Sequence, residues 1–254
     1  MRLINTMLAG WLSVIPAAAL AASPGGDADE AIQYHHCIAT ARKNPPEGWA
    51  EAMAWSSLRD SEAARHCAAV AMVGLGQYAD GAGRLEELAK TSTAAPRVRA
   101  GMFDQAALAW LLDKSADKAM ADVTQALMLV PGAPDLLVDR AQIEAARNDY
   151  QAAQVDLDTV LAATPNNGIE LIFRASTRRH LNDRAGAKAD IDKALQALPR
   201  NPDAWLEKGI LARLDNDEDG ARAAWSKVIE LAPDSAAALT AKQNLDLLDG
   251  HAQQ

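Results

Sequence analysis

Residues 202–233 read PDAWLEKGILARLDNDEDGARAAWSKVIELAP. Two apolar-striped segments flank a polar break at Asp215-Asn216-Asp217-Glu218, and Pro233 closes the stretch. In the first segment the large Trp205 is followed four residues on by the small Gly209; in the second, Ala221 is followed four residues on by Trp225. Spacings of three and four place such residues on one face of a helix. Proline cannot continue a helix, so Pro233 ends the second one. The stretch therefore predicts a helical hairpin, and neither of its helices can bury its apolar face alone.

Working outward, the same pattern returns at a step of 34 residues. Pro131, Pro165, Pro199 and Pro233 share one column. Ala107, Ala141, Ala175 and Gly209 form a small-residue column, and Ala119, Ala153, Ala187 and Ala221 form another. Val123, Leu157, Ile191 and Trp225 make a column of large residues, with Ala126, Val160, Ala194 and Val228 three positions beyond. Small residues at fixed places let paired helices approach closely, and the large ones fill the space between hairpins. Units that cannot bury a face by themselves must stack, so the period predicts one continuous array. Composition agrees with this: 56 of 254 residues are alanine, and only 4% are aromatic. That favours helix and excludes an all-β fold, whose strands want β-branched and aromatic residues.

This pattern resembles the tetratricopeptide repeat, in which a large residue, a Gly or Ala four on, an Ala twelve further, a large residue four beyond and a closing Pro recur. Trp205, Gly209, Ala221, Trp225 and Pro233 match it best. The resemblance implies an all-α, tetratricopeptide-type solenoid of helical hairpins wound as a right-handed superhelix, with about six helix pairs and a C-terminal capping helix. Clear units fall at 100–131, 134–165, 168–199 and 202–233, within a region 94–233. Residues 23–93 hold divergent N-terminal repeats, 234–249 the capping helix with Leu239, Leu245 and Leu248 inward, and 250–254 a disordered tail. The tyrosine usual in the middle of the first helix is absent; Trp110, Glu144, Arg178 and Ala212 stand there.

Upstream, Gly76-Gln77-Tyr78 aligns with Asn148-Asp149-Tyr150 after a shift of about four residues, which extends the array to residues 62–93, and 28–58 reads as a further unit. The first 22 residues differ: one charge at Arg2, an apolar run, Pro16 and then small residues match a secretory signal peptide cleaved after Ala21 or Ala22. We therefore expect a periplasmic protein; an uncleaved N-terminal membrane anchor is the alternative. Outside the cytosol thiols tend to be oxidised, so Cys37 and Cys67 read as a disulfide joining first helices of neighbouring units. Free buried thiols are the competing reading, as is a metal site built with His35, His36 and His66, although neighbouring helical residues point about 100° apart and no Cys-x-x-Cys spacing occurs.

The formal charge of −9 repels phosphate backbones, which argues against nucleic-acid binding. No nucleophile constellation or glycine-rich phosphate loop stands out, so the chain reads as a non-enzyme needing no cofactor or metal. Asp215–Gly220 begins like a calcium loop, but Ser226 stands where a bidentate Glu is required, which leaves an acidic solvated turn. Arg140 and Arg174 precede Asp156 and Asp190 by sixteen residues, which predicts ion pairs across each hairpin. The tryptophans fall mostly on repeat columns and read as core. One basic patch interrupts the acidic chain: Arg174, Arg178, Arg179, His180 and Arg184. In the resembled family, first helices line a concave groove, and positions five and eight after the large residue often face a ligand. The resemblance thus implies Ser176, Arg179 and Arg213 as groove residues, with His180 beside them and Asp139 and Gln142 from the preceding unit. Two arginines one repeat apart suit a partner carboxylate; solvated arginines balancing acidic neighbours are the competing reading. The function expected is an exported scaffold binding a protein or peptide partner; a structural envelope component that oligomerises is the alternative.

Overall fold

The computed structural model describes residues 28–251; the expected signal segment lies outside them, as do 252–254. Thirteen helices follow in tandem among these residues, with no strand. They are α1 (Ala28–Lys43), α2 (Pro45–Leu58), α3 (Glu62–Gly74), α4 (Tyr78–Thr91), α5 (Pro96–Leu112), α6 (Ala116–Leu129) and α7 (Pro134–Ala146). There follow α8 (Tyr150–Ala163), α9 (Gly168–His180), α10 (Arg184–Ala197), α11 (Pro202–Leu214), α12 (Glu218–Leu231) and α13 (Ala236–His251). None is long and apolar enough to cross a membrane.

Local chemistry sets each hairpin. From the hairpin α5/α6 onward the turn between paired helices carries one left-handed residue, Lys114, Asn148, Asn182 or Asn216, with φ of 66°, 63°, 69° and 60°; Gly76 fills the same role between α3 and α4 at 79°, while Asn44 between α1 and α2 has φ −140°. Asn and Gly tolerate that conformation, whereas Lys pays the Cβ clash. The residue after each Asn caps the next helix: Asp149, Asp183 and Asp217 accept from the amides of Ala152, Gly186 and Gly220. These bonds satisfy donors that the first helical turn leaves without partners. Pro45, Pro96 and Pro202 open α2, α5 and α11, where a missing amide hydrogen costs nothing.

Two compact units divide within α7, between Ile143 and Glu144. In the unit of residues 28–143, α1 packs on α2 and α3, α2 on α3, α3 on α4, α4 on α5 and α5 on α6. Its core gathers Tyr34, Trp55, Val70, Leu88, Met102, Phe103 and Leu136. Cys37 and Cys67 are joined by a disulfide with Cα atoms 6.1 Å apart, tying α1 to α3. Both cysteines are buried.

In the unit of residues 144–251, α8 packs on α9, the hairpins α9/α10 and α11/α12 stack in succession, and α13 covers α11 and α12. First helices are neighbours: α9 touches α11, and α11 touches α13. Trp225 is 1% exposed and lies against Gly209, where a Cβ would sit 2.3 Å from the indole Nε1. Leu248 is buried and Leu245 packs against the same core, but Leu239, expected inward, is 59% exposed. Ala237, Ala238 and Ala241 take the inner face instead, continuing the use of alanine where helices pass closely. The closing helix also runs to His251, so Gly250 and His251, expected in the tail, are helical.

Candidate functional site

The basic patch lies on α9, and the helix divides it in two. Asn167 caps the helix by accepting from Ile169 N, and Leu171, Ile172 and Ala175 turn into the core. Arg174 and Arg178, one turn apart, emerge on one side. Arg174 donates to both oxygens of Asp190, at 2.9 and 2.8 Å, and to Asp158 at 2.8 Å. The expected bridge across this hairpin therefore forms, and it extends to α8. Arg178 adds a 2.8 Å bond to the same Asp190. Asp190 is buried with two guanidiniums on it, so its charge is compensated where an unpaired one would be costly.

Arg179 and Ser176 point elsewhere. The Arg179 guanidinium donates through Nε to Glu207 of α11 and through Nη2 to Ser176 Oγ at 3.2 Å. Glu207 is fully buried; burial pushes its carboxyl up and Arg179 pulls it back, with a net rise. The structure thus brings Ser176 and Arg179 together as expected, but places an internal carboxylate on the arginine read as a clamp for an external one. Arg213, one repeat later, is exposed on α11. His180 stacks face to face on Tyr150, with ring centroids 4.2 Å apart. Desolvation and the adjacent Arg179 lower its pKa to about 4, so the ring is neutral at pH 7.

Asp139 and Gln142 belong to the unit of residues 28–143. Both are buried, and Gln142 Nε2 donates to Asp139 Oδ1 at 2.9 Å. Burial and the neighbouring Asp104 raise the Asp139 carboxyl well above the usual range, so it holds a proton that an exposed carboxyl would release. The same unit contains a buried polar chain that the sequence reading missed. His66 Nε2 lies 2.7 Å from Gln105 Oε1, and Tyr34 Oη lies 2.9 Å from His66 Nδ1. Gln105 Oε1 can only accept, which assigns the proton to Nε2 and makes Tyr34 the donor to Nδ1. Burial lowers His66 to about 4, so this histidine works as a neutral link between α1, α3 and α5.

A signal for part of this was present. Gln105, Asp139, Phe173 and Glu207 stand in one column of the 34-residue period, a core-facing place with polar residues in three of four units. Each polar member found a partner on another residue. In the acidic turn, Asp215 pairs with Lys188 and with Arg184 at 3.6 Å, while Asp217 caps α12. Among the described residues, no cluster of three or more His, Cys, Asp or Glu side chains is placed to hold a metal ion.

Tandem hairpins at a 34-residue step, each with a left-handed turn residue, and small residues where helices cross now decide the fold. It is a tetratricopeptide-repeat fold. Solved structures similar to the chain include a tetratricopeptide repeat protein from Parabacteroides merdae, with TM-score 0.69 and 15% identity over 89% of this chain and 86% of that one. Pseudomonas aeruginosa pilF gives a TM-score of 0.62 at 14% identity, over 85% of this chain and 99% of that one. YrrB, a tetratricopeptide-repeat protein with an unusual peptide-binding site, gives 0.52 at 13% identity over 76% and 97%. No protein-family model and no curated protein sequence matches the chain.

Proposed function

We propose that this protein is an exported, non-catalytic scaffold that binds a segment of a partner protein on the face made by its first helices. The observation that carries the reading is the tetratricopeptide-repeat fold itself, in which α9, α11 and α13 lie side by side and present polar side chains such as Ser176, Arg179 and Arg213. A row of parallel helices gives extended contact area without a deep pocket, which suits an extended or helical segment. The similarity to YrrB, a tetratricopeptide-repeat protein with an unusual peptide-binding site, supports the same reading. Export rests on the apolar N-terminal segment and is consistent with the disulfide. In this reading Arg213 meets the partner directly, and Arg179 does so by exchanging Glu207 for a partner carboxylate. The test is affinity capture from an envelope extract. Partner recovery that falls at least tenfold with Arg179→Ala plus Arg213→Ala supports the face, and unchanged recovery removes it.

Assembly into oligomers is the second reading, favoured by one observation. The first hairpin exposes Ile32 at 68%, Met53 at 46% and Leu58 at 87%. Light scattering that gives a monomer at micromolar concentration would remove this alternative.

A further inference from the structure

The regular step of 34 residues lets one part of the molecule serve as a reference for another. Between α8, α9 and α10 the Arg178 guanidinium is a plug. Its Nη1 donates to Asp190 Oδ2 at 2.8 Å and to the Gly186 carbonyl at 3.4 Å. It also lies 3.7 Å from Asp183 and 3.9 Å from Asp158. Arg174 shares Asp190 and Asp158, so two cations coexist there.

One repeat later the plug is missing. Arg178 is replaced by Ala212, Asp190 by Ala224 and Arg174 by Lys208, while Asp158, Asp183 and Gly186 persist as Asp192, Asp217 and Gly220. A cleft of about 330 Å³ opens between α10 and α11 in consequence. Its floor is apolar, formed by Ile191, Leu211 and Ala212. Its rim carries Asp192, Asp215 and Asp217 against Lys188 and Lys208, so carboxylates outnumber cations. Lys188 is engaged by Asp215. Lys208 is 3.8 Å from Asp192, too far for a hydrogen bond, and sits 5.3 Å from the centre of the Trp205 ring. Asp192 is 66% exposed and, among the described residues, has no closer cation.

We propose that this cleft binds a guanidinium group, the arginine side chain of a partner chain, in the place that Arg178 fills one repeat earlier. The arginine stem lies on Ile191 and Leu211, as long basic side chains do on apolar surface. The planar head takes Asp192 and Asp217, the equivalents of the two outer acceptors of Arg178, and Lys208 stands where Arg174 stands beside Arg178. This site uses residues separate from the Arg179 and Arg213 face and stands or falls independently of it.

The probes are N-acetyl-arginine amide and its uncharged isostere N-acetyl-citrulline amide, titrated into the full chain while the methyl signals of Ile191 and Leu211 are followed by NMR. The arginine compound is expected to give saturable shifts, and the citrulline compound none. Ala212→Arg with Ala224→Asp rebuilds the internal plug; it should melt no lower than wild type and bind the probe at least tenfold more weakly. Asp192→Asn, on an exposed side chain that does not threaten the fold, should weaken binding at least fivefold. Equal shifts from both probes, no saturable shift from the arginine probe, or binding undiminished in these variants would each overturn the proposal.

Discussion

Gly209→Ala is the substitution on which the packing logic of the repeats turns. An added Cβ would lie 2.3 Å from Trp225 Nε1, 2.5 Å from Cδ1 and 2.9 Å from Cε2. Carbon contacts are comfortable at about 3.5 to 4 Å, so the indole must move by roughly 1 Å. Trp225 is 1% exposed and its Nε1 donates to the Leu206 carbonyl at 3.3 Å, which leaves it little room. Overpacking of this kind costs about 1 to 3 kcal/mol. Against it stands the gain from replacing glycine inside a helix, about 1 kcal/mol. The net expectation is a loss of up to ~2 kcal/mol. The sign should reverse when the indole is removed, because the other units pair Ala107, Ala141 and Ala175 with Val123, Leu157 and Ile191 in these columns. In a Trp225→Leu background, itself less stable, Gly209→Ala should stabilise by up to about 1 kcal/mol, giving a coupling of roughly 1 to 3 kcal/mol. Urea denaturation of the four proteins, followed by far-ultraviolet circular dichroism, measures it. Stabilisation by Gly209→Ala in the wild type, or an equal cost in both backgrounds, would refute the reasoning.

Asp122 is buried in the unit of residues 28–143 at the place where Asp190 meets Arg174, but Ala106 stands where that arginine would be. Burial and then Glu86 raise its pKa from 3.8 to about 7, so the folded state keeps a proton that the unfolded chain has released. Its contribution is therefore fully present below about pH 4 and lost as pH rises to about 7, on the order of 4 kcal/mol; Asp122→Asn should flatten that slope in denaturation midpoints measured between pH 4 and 8. Lys114→Asn puts at the left-handed position the residue used at 148, 182 and 216 and should raise stability by about 0.5 to 1 kcal/mol, read from thermal melts. Replacing Cys37 and Cys67 by Ser should lower stability by ~2 to 4 kcal/mol and abolish any response of the melt to reductant.

The hairpins were legible because their signals are redundant. Pro, Ala and large residues repeat at a step of 34, and capping Asp residues follow the left-handed Asn148, Asn182 and Asn216. The pairing of Arg174 with Asp190 followed from the same register, since a spacing of sixteen crosses one hairpin. What the sequence did not disclose were the contacts that depend on which way a side chain leaves its helix. Arg178 and Arg179 are neighbours in sequence, yet about 100° of helical rotation sends one to Asp190 and the other to Glu207. Leu239 was misplaced for a related reason: leucine is more apolar than alanine, but the close approach of α13 favours Ala238 and Ala241 inward. Likewise Tyr34, His66 and Gln105 come from three helices whose side chains meet only in the fold.

The central claim, that the first-helix face receives a partner segment, is tested most directly by site-specific photo-crosslinking in the native host. A photoreactive residue at Arg213, exposed on α11, should capture one discrete partner. The same residue at Val155, 65% exposed on the second helix α8, should not. No adduct at 213, or the same adducts from both positions, would contradict the account.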